Sequence, residues 1–91
     1  MAYSFCPHHV SHYLGLDVHD CDRVKRNISL QPGMIITIEP GIYVDLNRSS
    51  APKEFHGFGL RIEDDILITE SGVEVLTHCP KTVTEIENAM R

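Results

Sequence analysis

The apolar residues of this chain gather in two runs separated by polar stretches. The first, "MIITIEPGIYV" from Met34 to Val44, is almost wholly apolar and β-branched. Met34 to Thr37 opens a strand rich in isoleucine. Pro40-Gly41 interrupts the run at a bulge or an edge, because proline cannot donate to a ladder, and Ile42 to Val44 continues it. The second run, "LRIEDDILIT" from Leu60 to Thr69, reads as one further strand. Glu70–Gly72 forms a turn, and Val73–Leu76 is short and extended. In "PKTVTEIENAM", Pro80 stands near a helix start and acidic residues fill the early turns, which predicts a short carboxy-terminal helix. Residues 21–33 read as a polar connection ending in a Pro-Gly turn, and residues 45–57 as a polar loop. Strands followed by a helix make an α+β arrangement.

Each apolar run contains carboxylates, and these change the picture. Side chains alternate faces along a strand, so Ile35, Thr37 and Glu39 share one face while Met34, Ile36 and Ile38 share the other. An ionised carboxylate in apolar surroundings costs several kcal/mol unless it is paired or bound to a metal. The stretch alone leaves two readings of Glu39: an exposed residue on a wet face, or a ligand with a cation on its inner side. The second run poses the same choice. Arg61 and Glu63 point to one face, amid Leu60, Ile62 and Ile66–Ile68. A solvated ion pair there contributes little. Glu63, Asp64 and Asp65 in sequence repel unless something positive compensates, either a divalent cation or Arg61.

Four of the six histidines lie in the first twenty residues, at positions 8, 9, 12 and 19. On an ideal helix His8, His12 and His19 would lie close to one face. Gly15 interrupts that helix, however, and His9 stands where the glutamate of an HExxH zinc motif belongs. "YLGLDVHD" alternates instead like an extended segment. Histidine is the commonest metal ligand and a general acid or base near neutral pH. Combined with Glu39 and Glu63, either His12 or His19 completes a mixed carboxylate–imidazole set suited to manganese, iron, cobalt or zinc. Carboxylates that bridge two ions about 3.5–4 Å apart are typical of hydrolytic two-metal sites.

Size and charge bound the rest. The chain has 91 residues, room for one small domain with a marginal core. Its hydrophobic content of 42% argues against disorder. The net charge of -5, with no basic run longer than "RVKRN" at 23–27, argues against nucleic acid as a partner. No apolar run reaches the roughly 18–20 residues that span a membrane, and the amino terminus lacks the pattern of a signal peptide. Three widely spaced cysteines, Cys6, Cys21 and Cys79, without a CxxC pair, argue against a disulfide framework and for reduced thiols in an intracellular compartment.

Three motifs in order, "HHVSHYLGLDVHD", "LQPGMIITIEPGIYV" and "GFGLRIEDDILIT", resemble the carboxy-terminal half of the catalytic domain of Xaa-Pro aminopeptidases (aminopeptidase P). These are pita-bread metallopeptidases, with prolidase and methionine aminopeptidase as relatives. The resemblance runs from about Phe5 to Glu87, and "YSFCPHHVSHYLGLDVHD" looks most like the mitochondrial branch. It implies a partial pita-bread fold over residues 1–91, with antiparallel strands and a carboxy-terminal helix. It implies His12, Glu39 and Glu63 as metal ligands, with Glu63 bridging two ions. It implies His19 as the histidine that polarises or protonates the scissile amide, His8 as a second active-site histidine, and Arg61 as the arginine that orders the carboxylates. The implied substrate is a peptide with proline in second position, hydrolysed by water that the ions activate, with manganese the usual metal. The implied compartment is mitochondrial or cytoplasmic.

The family pattern also requires two aspartate ligands upstream of the histidine motif. Asp17, Asp20, Asp22, Asp45, Asp64 and Asp65 do not match them, so three ligands serve one ion here and only Glu63 the other. The expectation is therefore a fragment of a manganese-dependent aminopeptidase, inactive alone and completed by a complementary half or by homo-oligomerisation. The alternatives are a non-enzymatic binding or regulatory module that pairs with a homologue, and a prolidase-like dipeptidase. An open sheet edge and an exposed apolar face predict self-association.

Overall fold

The computed structural model describes residues 4–91, with strands β1 (Ile35–Ile38), β2 (Gly41–Tyr43), β3 (Gly59–Arg61), β4 (Asp64–Thr69) and β5 (Gly72–Val75), then helix α1 (Val83–Ala89). All pairings are antiparallel. One sheet has the order β1-β4-β5, and β2-β3 forms a two-stranded ribbon.

The second apolar run is two strands, not one. β3 pairs with β2, whereas β4 pairs with β1. The chain must pass from ribbon to sheet, and it leaves both ladders at Ile62–Glu63. The opposite strand does the same at Glu39–Pro40, where proline has no N–H to give. Ile38 faces Asp64 on one side of this joint and Gly41 faces Arg61 on the other. The register therefore carries across it, with Glu39 opposite Glu63 and Pro40 opposite Ile62. The Ile62 N–H reaches the Pro40 carbonyl at 3.2 Å.

A small core holds the sheet. Ile36 and its register partner Ile66 are buried with Ile68, and Tyr13 and Met34 pack against them. The Pro32-Gly33 turn delivers β1 to this core. Gly33 adopts φ +90°, a conformation that favours glycine, and its N–H bonds to the Ile68 carbonyl at 2.9 Å.

The histidine-rich segment runs along the free edge of β1 and β2. Tyr43 N–H bonds to Phe5 O, Glu39 N–H to Val10 O and Thr37 N–H to His12 O, each at 2.8 Å, and Leu14 N–H bonds to Ile35 O at 3.1 Å. Beyond Tyr13, "LGLDVHD" is a series of bends and turns rather than the extended strand its alternation predicts. The reason is Asp20. Its carboxylate accepts the N–H groups of Leu16 (2.8 Å), Asp17 (3.3 Å) and Cys21 (2.8 Å), folding the loop around itself. Those bonds, from Cys21 first and then Asp17 and Leu16, hold the Asp20 carboxyl below its ordinary pKa. A Cβ at Gly15 would come within 2.3 Å of the Asp20 side chain, so only glycine fits there.

Helix α1 carries a capping box. The Thr82 hydroxyl accepts the Glu85 N–H, and the Glu85 carboxylate accepts the Thr82 N–H. No described helix is long and apolar enough to cross a membrane, and Cys6, Cys21 and Cys79 are free thiols.

Candidate metal centre

The joint between ribbon and sheet sets Glu39 and Glu63 against each other. Directly opposed like charges on neighbouring strands destabilise a sheet unless a cation lies between them. Glu39 is only 7% exposed, so its strand context buries it and excludes the wet-face reading.

Thr37, 1% exposed and on the same face, couples Glu39 to the histidine segment. Its Oγ1 accepts the His12 N–H at 3.0 Å and donates to Glu39 Oε1 at 3.1 Å. One hydroxyl thus links two of the three residues at the centre. The His12 ring is aimed by its Nδ1, which lies 3.0 Å from the Tyr13 carbonyl. A carbonyl only accepts, so Nδ1 carries the proton and a neutral His12 presents a bare Nε2. That Nε2 stands 3.2 Å from Glu39 Oε1. With Nε2 bare, two acceptors face each other at this distance, an arrangement that a shared cation or proton relieves. Ligand bonds of about 2.0–2.2 Å at tetrahedral or octahedral angles put neighbouring donor atoms about 3.0–3.5 Å apart, so the spacing fits one shared ion.

His12, Glu39 and Glu63 each offer a donor atom within 4.8 Å of the others. Arg61 lies over the pair of carboxylates, with Nη1 3.7 Å from Glu39 Oε2 and Nε 3.8 Å from Glu63 Oε2. These distances exceed a hydrogen bond, so Arg61 acts here as a nearby charge rather than a clamp. His19 meets His12 edge to face, with ring centroids 5.3 Å apart. His8 Nδ1 donates to the His9 carbonyl at 2.8 Å, leaving Nε2 to the Tyr43 hydroxyl at 3.0 Å. Gly41 makes room for that pair, because a Cβ there would lie 2.7 Å from the Tyr43 ring. The structure thus brings the six residues singled out from sequence to one joint. His8, His12, His19, Glu39 and Arg61 line one cleft, and Arg26 joins them on its wall.

Thr37, Tyr43, Asp20 and Arg26 were not singled out. Thr37 was findable, because it lies two residues before Glu39 and so shares its face. Asp20 and Tyr43 act through a loop and a ring stack that no local period encodes. Arg26, in "RVKRN", reads as part of a solvated loop.

The chain matches Metallopeptidase family M24 over residues 1–70. It is 52% identical over 87 residues to Xaa-Pro aminopeptidase 3 of Rattus norvegicus, covering 94% of this chain and 17% of that protein. It is 51% identical over 85 residues to the mitochondrial Intermediate cleaving peptidase 55 of Arabidopsis thaliana, covering 92% and 17%. Among solved structures it superposes on aminopeptidase P from E. coli with the inhibitor Pro-Leu at a TM-score of 0.83 and 45% identity, covering 98% of this chain and 21% of that one. The chain thus spans about a fifth of the length of these relatives, and its antiparallel strands and terminal helix form part of the pita-bread fold of aminopeptidase P. The family match over residues 1–70, the shared fold and the sequence identity lead to one assignment: the chain belongs to the M24 metallopeptidases.

Proposed function

We propose that this chain is the carboxy-terminal half of the catalytic domain of an Xaa-Pro aminopeptidase, with His12, Glu39 and Glu63 as ligands of divalent manganese. The observation that carries this reading is the pair of acceptors, His12 Nε2 and Glu39 Oε1, facing each other at 3.2 Å with the Glu63 carboxylate close by. When bound, the ions would polarise the substrate carbonyl and lower the pKa of water.

The chain's own residues do the rest. Thr37 and the Tyr13 carbonyl orient Glu39 and His12. Arg61 offsets the charge of the opposed carboxylates. His19, at the cleft beside His12, is the residue we assign to protonating the departing amine, a role its position against the His12 ring supports. His8, its Nε2 bonded to Tyr43 and lining the same cleft, is assigned as the second active-site histidine. A proline-containing dipeptide held by the E. coli relative supports a peptide with proline in second position as substrate. The mitochondrial relative supports an intracellular, mitochondrial setting. Two further ligands come from a complementary polypeptide or the upstream part of the same one.

Manganese titration of the 91-residue chain tests this reading. Calorimetry is expected to find one weak site per chain, weakened further by Glu63→Gln. A peptide with proline in second position is expected to show no turnover by the isolated chain. Two tight sites in the monomer, or robust cleavage by it, would overturn the division of ligands.

A further inference from the structure

Of the three residues at the centre, Glu63 is the least constrained by its surroundings. Glu39 is buried and His12 largely so, and the two are cross-linked through Thr37. Glu63 lies off both ladders, its side chain is 39% exposed, and Arg61 approaches it no nearer than 3.8 Å. Something must hold the backbone at this point if the carboxylate is to stand ready opposite Glu39.

The next residue supplies an anchor. Asp64 Oδ1 receives two donors, the Thr77 hydroxyl at 2.5 Å and the Lys81 ammonium at 2.8 Å. Thr77 Oγ1 also accepts the Asp65 N–H at 3.2 Å, and the Leu76 N–H reaches the Asp65 carbonyl at 2.8 Å. The ladder of β5 ends at Val75, so these bonds continue its hold on β4 to the residue beside Glu63. Lys81 is itself fixed. Its Nζ donates to the Cys79 carbonyl at 3.2 Å, and its backbone N–H donates to Glu85 Oε2 at 3.1 Å. Helix α1 has no buried residue. Seven residues without a buried face are marginal as a helix, so its firmest attachment to the sheet is this polar cluster at its amino end. The Lys81 ammonium thereby compensates one acid of the Glu63–Asp64–Asp65 run.

We propose that the Asp64–Thr77–Lys81 cluster positions Glu63, so that the segment leading into the carboxy-terminal helix sets the geometry of this carboxylate from outside the site. Lys81 and Thr77 are positioning residues here, touching neither metal nor substrate. The inference rests on the reading of Glu63 as a ligand, and two measurements on the 91-residue chain separate the two.

The first needs no metal. Lys81→Met is expected to shift the amide resonances of Arg61 and Glu63 while leaving those of Ile35–Thr37 in place. Unmoved Arg61 and Glu63 resonances would overturn the positioning role, whatever the site binds. The second is a cycle read by the EPR signal of free Mn²⁺. Lys81→Met is expected to weaken manganese binding about tenfold, the scale of lost outer-shell support. Lys81→Arg, which keeps a donor for Asp64, is expected to restore it. In a Glu63→Gln background Lys81→Met is expected to change nothing further. An equal loss in that background would make the cluster a general stabiliser and sink the proposal. Thr77→Val, which removes only the hydroxyl link, gives the same comparison should the Lys81 variant unfold. Loss of binding in Lys81→Met but not in Glu63→Gln would instead refute Glu63 as a ligand.

Discussion

Ile36 and Ile42 lie six residues apart in one apolar run, yet Ile36 is 6% exposed and Ile42 is 63% exposed. The first belongs to the three-stranded sheet, which closes its own core over Ile66 and Ile68 and buries the carboxylate of Glu39 on the other face. The second belongs to the two-stranded ribbon, whose Ile42 and Leu60 stand open beside the equally exposed Phe58. A two-stranded ribbon has no second layer to bury against. The sheet therefore carries the stability of this chain. The ribbon carries surface that only another polypeptide, or another part of the same one, can cover. The candidate metal centre, His12, Glu39 and Glu63, sits at the joint between them, where both strands have left their ladders.

The largest expected effect breaks this comparison at its core. Ile36→Ala should cost about 2–5 kcal/mol, the range for removing a buried isoleucine side chain, read as a lower denaturant midpoint. Ile42→Lys on the ribbon should leave that midpoint within about 0.5 kcal/mol and reduce self-association by light scattering. Equal destabilisation by both substitutions would erase the distinction between sheet and ribbon.

A smaller effect sharpens the comparison at the joint. Thr37→Val keeps the shape and removes the hydroxyl, so the His12 N–H loses its acceptor and Glu39 Oε1 loses its hydroxyl donor. The expected cost is about 1–3 kcal/mol for the unpaired buried groups. Manganese affinity should fall about 10–100-fold, as for other outer-shell partners. Unchanged affinity in calorimetry would show that Glu39 is oriented by something else.

The smallest effect lies at the helix. Hydrogen bonds from the Thr82 backbone, the Lys81 backbone and the Thr82 hydroxyl lower the Glu85 pKa from 4.5 to about 2. A depressed carboxylate stabilises the folded form above its ordinary value and loses that contribution as pH falls through the folded one. The capping box should therefore hold at neutral pH and weaken between about pH 4.5 and 2. An NMR titration should find Glu85 the lowest glutamate, and Thr82→Ala should raise it toward the ordinary value. A Glu85 that titrates with the other glutamates would mean the box does not form in solution.

Much of this was legible along the chain. The isoleucine run, the Pro32-Gly33 turn and the short final helix follow from local composition and periodicity, and the three family motifs single out the residues that meet at the candidate centre. The single strand expected over Leu60–Thr69 was not observed, because no local signal marks Ile62–Glu63 as the crossing from ribbon to sheet. The alternation of "YLGLDVHD" misled for a similar reason. A carboxylate that gathers N–H groups from the preceding turn outweighs a period-two pattern.

By itself, then, the amino-acid order determined which chemistry was available: two carboxylates, a cluster of imidazoles and an arginine, carried on β-forming segments. Only the tertiary structure decided that Glu39 stands opposite Glu63, that Thr37 ties it to His12, and that one of two equivalent isoleucines is buried. The physical reason is range. Propensity and periodicity act over a few neighbours, whereas cross-strand register and burial depend on partners more than twenty residues away.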